Sequence, residues 1–210
     1  MVNWITLEGL THYTKGLDLM HEHLENMIKK DLTEETILLL EHEEVYSAGS
    51  SYKKDEILDI GTVPLVFTRR GGKVTYHGPG QRIIYPIINL NHKKDIRLYI
   101  SNLQQWVINT LKHIGIEAFI IKGLIGIWVK DKVSGQPAKI AAIGVRVKKW
   151  VAYHGIAINL NTDLKKFSNI IPCGITQYQV TSIENMGIKI SMQEFDKILK
   201  AEFSRVFYKD

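Results

Sequence analysis

Two apolar runs, residues 139–148 and 151–160, stand only two residues apart. A chain that reverses in two residues forms an antiparallel hairpin, since parallel neighbours need a crossover of a dozen residues or more. Residues 117–121 and 125–130 bracket Gly123 in the same manner and predict a second hairpin. Short apolar runs at 36–41, 65–68 and 82–88 predict further strands. Pro86 has no amide hydrogen, so its strand is expected at a sheet edge or bulged at that point.

Between these runs lie stretches of helical period. Tyr13, Leu17, Met20, Leu24 and Met27 recur at alternating steps of four and three, one apolar stripe on a helix over 11–30. Leu103, Trp106, Val107, Thr110, Leu111 and Ile114 mark a second helix, closed by Gly115. Ser191 and Glu194 have the spacing of a capping box, opening a last helix that carries Phe195, Ile198, Leu199 and Val206. Hairpins interspersed with helices predict an α+β fold, a mixed and largely antiparallel sheet flanked by helices. With 210 residues and no repeat or linker, residues 1–210 read as a single domain.

Composition excludes several classes of function. No run approaches the ~20 apolar residues of a membrane span. The amino terminus lacks the basic-then-apolar order of a secretory signal. One cysteine excludes internal disulfides and suits a reducing compartment, so a cytoplasmic location is expected. The 27 basic residues against 22 acidic ones come as scattered pairs, such as Lys29-Lys30, Arg69-Arg70 and Lys148-Lys149. Without a basic tail or basic helix, no nucleic-acid partner is expected. An acidic protein partner would suit the net charge of +5, as would an ordinary solvated surface. His21 and His23 lie two apart on a helix and do not share a face, so no metal site is expected.

Four places have residue types suited to chemistry. The stretch from Arg69 to Gln81 holds Gly71, Gly72, Gly78, Gly80 and Pro79, too glycine-rich for a core strand. Such a loop lets a ligand approach the backbone and offers amide donors, although a structural hairpin turn has the same composition. It has neither P-loop nor dinucleotide-fingerprint spacing. Lys139 opens an apolar run, where burial would lower its pKa towards that of a neutral-pH base, while lysines at strand ends more often snorkel to water. His154 interrupts an apolar strand beside Gly155 and by itself reads as a satisfied core histidine. Cys173, between Pro172 and Gly174, is a thiol presented on a constrained turn. Lone cysteines are more often inert buried residues, and pairing of Cys173 with His77 or His154 remains open.

Together these stretches resemble the lipoyl(octanoyl) transferases. The likeness rests on Arg70-Gly71-Gly72, Thr75-Tyr76-His77-Gly78-Pro79-Gly80-Gln81, the run from Lys139 to Arg146, His154-Gly155 and Pro172-Cys173-Gly174, in that order. It implies the catalytic-domain fold of biotin and lipoate protein ligases. It also implies transfer of an octanoyl group from octanoyl-acyl carrier protein to a lysine of lipoyl domains of 2-oxoacid dehydrogenases and of the glycine cleavage H protein. Cys173 would carry the acyl group as a thioester, and Lys139 would take the thiol proton. Arg70, Gly71, Gly72, Lys73, Val74, Thr75, Tyr76, His77, Ala142, Ile143, Gly144, Gly155, Ile156 and Ala157 would surround the acyl chain, with Val74, Ile143 and Ile156 as its apolar contacts. Backbone amides near Gly144 or Cys173 are candidate oxyanion donors. No ATP or other cofactor would be needed, and a monomer is expected. An ATP-dependent lipoate or biotin ligase of the same fold, or a non-catalytic carrier-binding module, are the alternatives. Family members often carry a proline after the histidine equivalent to His42; here Glu43 follows.

Overall fold

The computed structural model describes residues 2–30, 34–171 and 178–208. Its main sheet has the order β1 (Val2–Thr11), β2 (Glu35–His42), β6 (Gln81–Asn89), β10 (Val151–Asn159), β9 (Pro137–Lys148), β8 (Leu124–Lys130) and β7 (Ala118–Ile121), with β11 (Gln179–Val180) paired to β9. A smaller sheet sets β3 (Val45–Ala48) between β4 (Leu65–Phe67) and β5 (Val74–His77). The pairs β1–β2, β3–β4 and β9–β11 are parallel and the other ladders antiparallel. Both expected hairpins are present. Strand β1 is an addition that the alternation of its residues did not announce.

Helices cover both faces of the main sheet. Helix α1 (Tyr13–Lys30) lays Met20, Leu24 and Met27 on Leu38, Leu40, Ile83, Tyr85, Ile87 and Tyr153. On the opposite face α2 (Ile96–His113) and α3 (Met192–Phe207) bury Trp106, Leu103, Phe195, Leu199 and Phe203 against Ile84, Ile127, Ile140, Ile156 and Ile158. The Trp106 indole donates to the Leu199 carbonyl at 2.8 Å and ties the two helices together. Asp95 caps α2 by accepting from the Leu98 amide at 2.9 Å. Ser191 and Glu194 form the expected capping box on α3.

Two expectations about strands are corrected. Val74–His77, inside the glycine-rich stretch, is a buried strand, because the glycines flank it and its four residues have ordinary side chains to pack. Pro86 is not at an edge: β6 lies between β2 and β10. Its missing donor faces β10, where the ladder has pairs Ala152–Ile88 and Ile156–Ile84 and none between them. A Cβ on Gly155 would lie 2.5 Å from the Pro86 Cδ and 2.2 Å from the Ile84 carbonyl oxygen, so only glycine fits beside the ring.

Arg82 on β6 and Asp196 on α3 form a buried two-pronged ion pair, Nε to Oδ1 at 2.9 Å and Nη2 to Oδ2 at 3.0 Å. Asp196→Ala strands the guanidinium in the interior and is expected to cost about 3–5 kcal/mol in urea denaturation. Lys148→Ala, which breaks the exposed pair with Glu25, is expected to cost less than about 1 kcal/mol in the same experiment.

Candidate active site

A cleft of about 500 Å³ lies on the α1 side of the main sheet, between β9, β10, α1 and the small sheet. Its floor is a strip where cross-strand partners are small, Ala142 with Ala157 and Gly144 with Gly155. Its walls are Tyr13, Ile83, Tyr85, Thr75 and His77, and its roof is Arg70, Gly71, Gly72 and Lys73. The roof is laid directly on β9: the Gly71 amide donates to the Val145 carbonyl at 3.2 Å. A Cβ on Gly144 would meet the Gly71 oxygen at 2.9 Å, so the roof can descend only onto a glycine. Lys73 pairs its ammonium with the buried carboxylate of Glu56.

Of the residues read from sequence as acyl contacts, Val74 and Tyr76 lie elsewhere. Side chains alternate along β5, so Thr75 and His77 face the cleft. Val74 and Tyr76 instead join Tyr46, Phe167 and Ile170 in a separate cluster. Ile143 and Ile156 border the cleft, yet their side chains pack in the core under α2 and α3. Room for a chain therefore comes from the alanines and glycines between them. Tyr13, Ile83 and Tyr85 were not foreseen as lining, since a cleft-facing tyrosine on a helix stripe or strand looks like any core residue.

The roof arginine is buried, and its described partners are uncharged. Arg70 donates from Nη2 to the Ser47 and Lys73 carbonyls at 2.7 and 2.8 Å, from Nη1 to the Gly71 carbonyl at 3.0 Å, and from Nε to the Ser47 hydroxyl at 3.2 Å. Gln81 Oε1 can only accept from His77 Nδ1, so neutral His77 accepts at Nε2 from the Ser47 hydroxyl, 3.0 Å away. His77 then donates from Nδ1 to Gln81 Oε1 at 2.8 Å, Gln81 to Asn159 Oδ1 at 2.8 Å, and Asn159 to the Thr181 carbonyl at 2.9 Å. This directed chain fixes the His77 tautomer. Behind it, His42 donates to the Thr11 carbonyl and accepts from the Tyr85 hydroxyl at 2.8 Å.

Lys139 reaches the cleft side of the sheet because β9 bulges. Trp128 pairs with Lys139 and Ile127 with Ala141, leaving Ile140 as an extra residue. Ile140 and Ala141 both pack into the α2/α3 core, and Lys139 shares the opposite face with Ala142. Its side chain does not snorkel: the residue is 6% exposed, and Nζ lies 4.8 Å from the Trp128 ring centroid. Nζ has no hydrogen-bond partner among the described residues. It borders a smaller cavity of about 280 Å³, which meets the cleft at Thr75, Ala142 and Ala157. Pro172, Cys173 and Gly174 lie outside the described residues. The chain on either side of them is tied down, Ile171 through its amide to the Glu56 carbonyl at 2.8 Å and Val180 by pairing with Lys139.

The cleft has a low proton affinity. Burial holds His42 at about 4 and His154 at about 3, and pushes His77 well below the usual imidazole range. His154 is not a satisfied core histidine: it lines the cleft, and no hydrogen bond to its ring is present among the described residues. Those residues also contain no group of three or more His, Cys, Asp or Glu placed to hold a metal ion.

The family model described as the lipoyl protein ligase A/B catalytic domain matches residues 12–204. The chain belongs to that family. An octanoyltransferase of Rickettsia felis is 52% identical over 99% of this chain and 100% of its own length. In structure the chain resembles a bipartite lipoate protein ligase from Thermoplasma acidophilum, with TM-score 0.77 at 18% identity over 100% of this chain and 86% of that one. It also resembles the biotin protein ligase of Aquifex aeolicus, with TM-score 0.56 at 13% identity over 99% and 69%. The shared architecture is the expected α+β sheet flanked by helices. In this family member, then, Lys139 borders a small cavity that shares Thr75, Ala142 and Ala157 with the cleft beneath the glycine-rich roof.

Histidines held neutral below their ordinary value of 6.5 bind protons when the chain unfolds, so their contribution is complete above that pH and is lost on acidification. Unfolding free energy is expected to be flat above pH 6.5. It should fall by roughly 1 kcal/mol per pH unit for each such histidine below it, followed by guanidinium denaturation down to about pH 5, above the carboxylate range. A flat profile through that interval would contradict the buried neutral imidazoles.

Proposed function

We propose that the protein transfers an octanoyl group from octanoyl-acyl carrier protein to a lysine of lipoyl domains, by way of a thioester on Cys173. Acyl transfer is the activity by which its close relatives are named. The observation that carries the mechanism is the buried Lys139 amino group, unpartnered among the described residues, on a small cavity that adjoins a cleft floored by alanine and glycine. Gln179 and Val180, a few residues after Cys173 in sequence, pair with Ala138 and Lys139.

In the proposed cycle Lys139, as its neutral amine, takes the Cys173 proton. The thiolate then attacks the donor's thioester carbonyl, and the new carbon–sulfur bond forms as the carrier's bond to carbon breaks. The departing carrier thiolate recovers the proton from Lys139. The acceptor lysine, as free amine, attacks the acyl-enzyme, forming an amide, releasing the Cys173 thiolate and returning a proton to the dyad. Thioester exchange is nearly neutral in energy and amide formation is downhill, so neither ATP nor another cofactor enters.

The hydrocarbon chain would lie over Ala142, Gly144, Gly155 and Ala157, where each buried methylene contributes ~0.8 kcal/mol. Arg70 and the backbone of Gly71, Gly72 and Lys73 would cover it, with Thr75 and His77 beside it. Amides near Gly144 or Cys173 would hold the developing oxyanion. The acceptors would include lipoyl domains of 2-oxoacid dehydrogenases and the glycine cleavage H protein. An acidic carrier would suit the net charge of +5. Residues 1–210 would act as a single catalytic domain and monomer in the cytoplasm; no helix among the described residues is long and apolar enough to cross a membrane.

Intact-protein mass spectrometry after mixing with octanoyl-carrier protein tests this reading. One covalent octanoyl group is expected on the wild type without ATP, and none on Cys173→Ser; unimpaired transfer to a lipoyl domain by that variant would overturn the covalent route. Lys139→Ala is expected to slow acylation by about 10²–10⁴-fold and to move the pH–rate profile upward. An unchanged profile would remove Lys139 from the role of base.

A further inference from the structure

The far end of the cleft is a single imidazole, and the backbone explains its presence. In a regular strand Tyr153 and Gly155 would face α1 while His154 faced the α2/α3 core. Pro86 stands opposite His154 on β6, and the ladder is open there. His154 takes a left-handed φ of 59°, which turns its ring to the same face as Tyr153. The ring stacks on Tyr153 at 5.0 Å and meets His21 and Tyr85 edge-on, each at 6.2 Å. The residue is 3% exposed and has no hydrogen bond to its ring among the described residues, so the ring is held in place by these aromatic contacts alone.

The same ring lines a second space. Beyond it an open groove of about 1080 Å³ runs between α1 and the far part of β9, past Leu17, Leu24, Phe67 and Arg146. His154 borders both the cleft and this groove. It is the lining residue that the two have in common.

We propose that His154 sets the acyl-chain length by closing the cleft against the terminal methyl group. This rests on the acyl-transfer reading of the cleft. His154 pairs with Val145, three residues beyond Ala142 on β9, a distance of about 10 Å at the rise of a strand. An extended octanoyl chain spans roughly 9 Å from carbonyl carbon to methyl, given carbon–carbon bonds of about 1.5 Å. With its carbonyl at the Lys139 end, an eight-carbon chain stops at the ring and a twelve-carbon chain runs into it.

The test compares kcat/KM for octanoyl- and dodecanoyl-carrier protein. Wild type should strongly favour eight carbons. His154→Gly, which suits the left-handed backbone, should raise the dodecanoyl-to-octanoyl ratio tenfold or more. His154→Asn, also tolerated at such φ, should move it in the same direction. Protection from heat denaturation by dodecanoic against octanoic acid should shift in parallel, a readout independent of turnover. An unchanged ratio and unchanged protection in either folded variant overturn the role of His154 and leave the transfer reading intact. A wild type that accepts no octanoyl group overturns the transfer reading, and this one with it.

Discussion

The pairing of Ala142 with Ala157 and of Gly144 with Gly155 leaves a strip of the central sheet with no side chain larger than a methyl group, and the rest of the site depends on that strip. Elsewhere α1 packs directly onto this face through Met20, Leu24 and Met27. Over the strip there is nothing for the helix to meet, so a cleft remains beneath Tyr13. The glycine-rich segment closes it from above, and it can approach so near because Gly144 presents no Cβ to the Gly71 carbonyl.

Two departures from regular strand geometry mark the ends of the strip. At one end the extra residue Ile140 turns Lys139 out of the α2/α3 core and onto the cleft face. At the other, Pro86 interrupts the ladder and His154 turns left-handed onto that same face. Each brings out a polar residue that alternation would have buried in an apolar core. Both irregularities lie on the two strands that make the floor, so the two ends are held at a fixed separation by the hairpin itself.

Polar groups behind the cleft are joined in one chain. Five side chains, from Arg70 through Ser47, His77 and Gln81 to Asn159, each donate to the next group, and the last donates to the Thr181 carbonyl. The Thr181 amide in turn donates to the Lys139 carbonyl at 2.9 Å. A network with every donor used in one direction is rigid and specifies one arrangement. It links the roof of the cleft to the strand that follows Cys173.

Much of this was legible in the residues alone. The two-residue separation of the β9 and β10 runs required a hairpin, the stripe from Tyr13 to Met27 required a helix, and Ser191 with Glu194 marked where α3 begins. The glycine-rich stretch, Lys139 and the segment around Cys173 stood out because glycine, lysine and a constrained thiol are costly choices inside apolar runs. What a linear sequence does not contain is which neighbour a strand residue meets. Pro86 as an interior residue, the turn of Val74 and Tyr76 away from the cleft, and the small-residue floor all depend on partners dozens of residues away. The sequence by itself determined the elements and the chemical types available, since those follow from local periodicity and backbone permission. Only the tertiary structure decided that Lys139 and His154 face the same side of the sheet, because a bulge and an interrupted ladder are properties of paired strands.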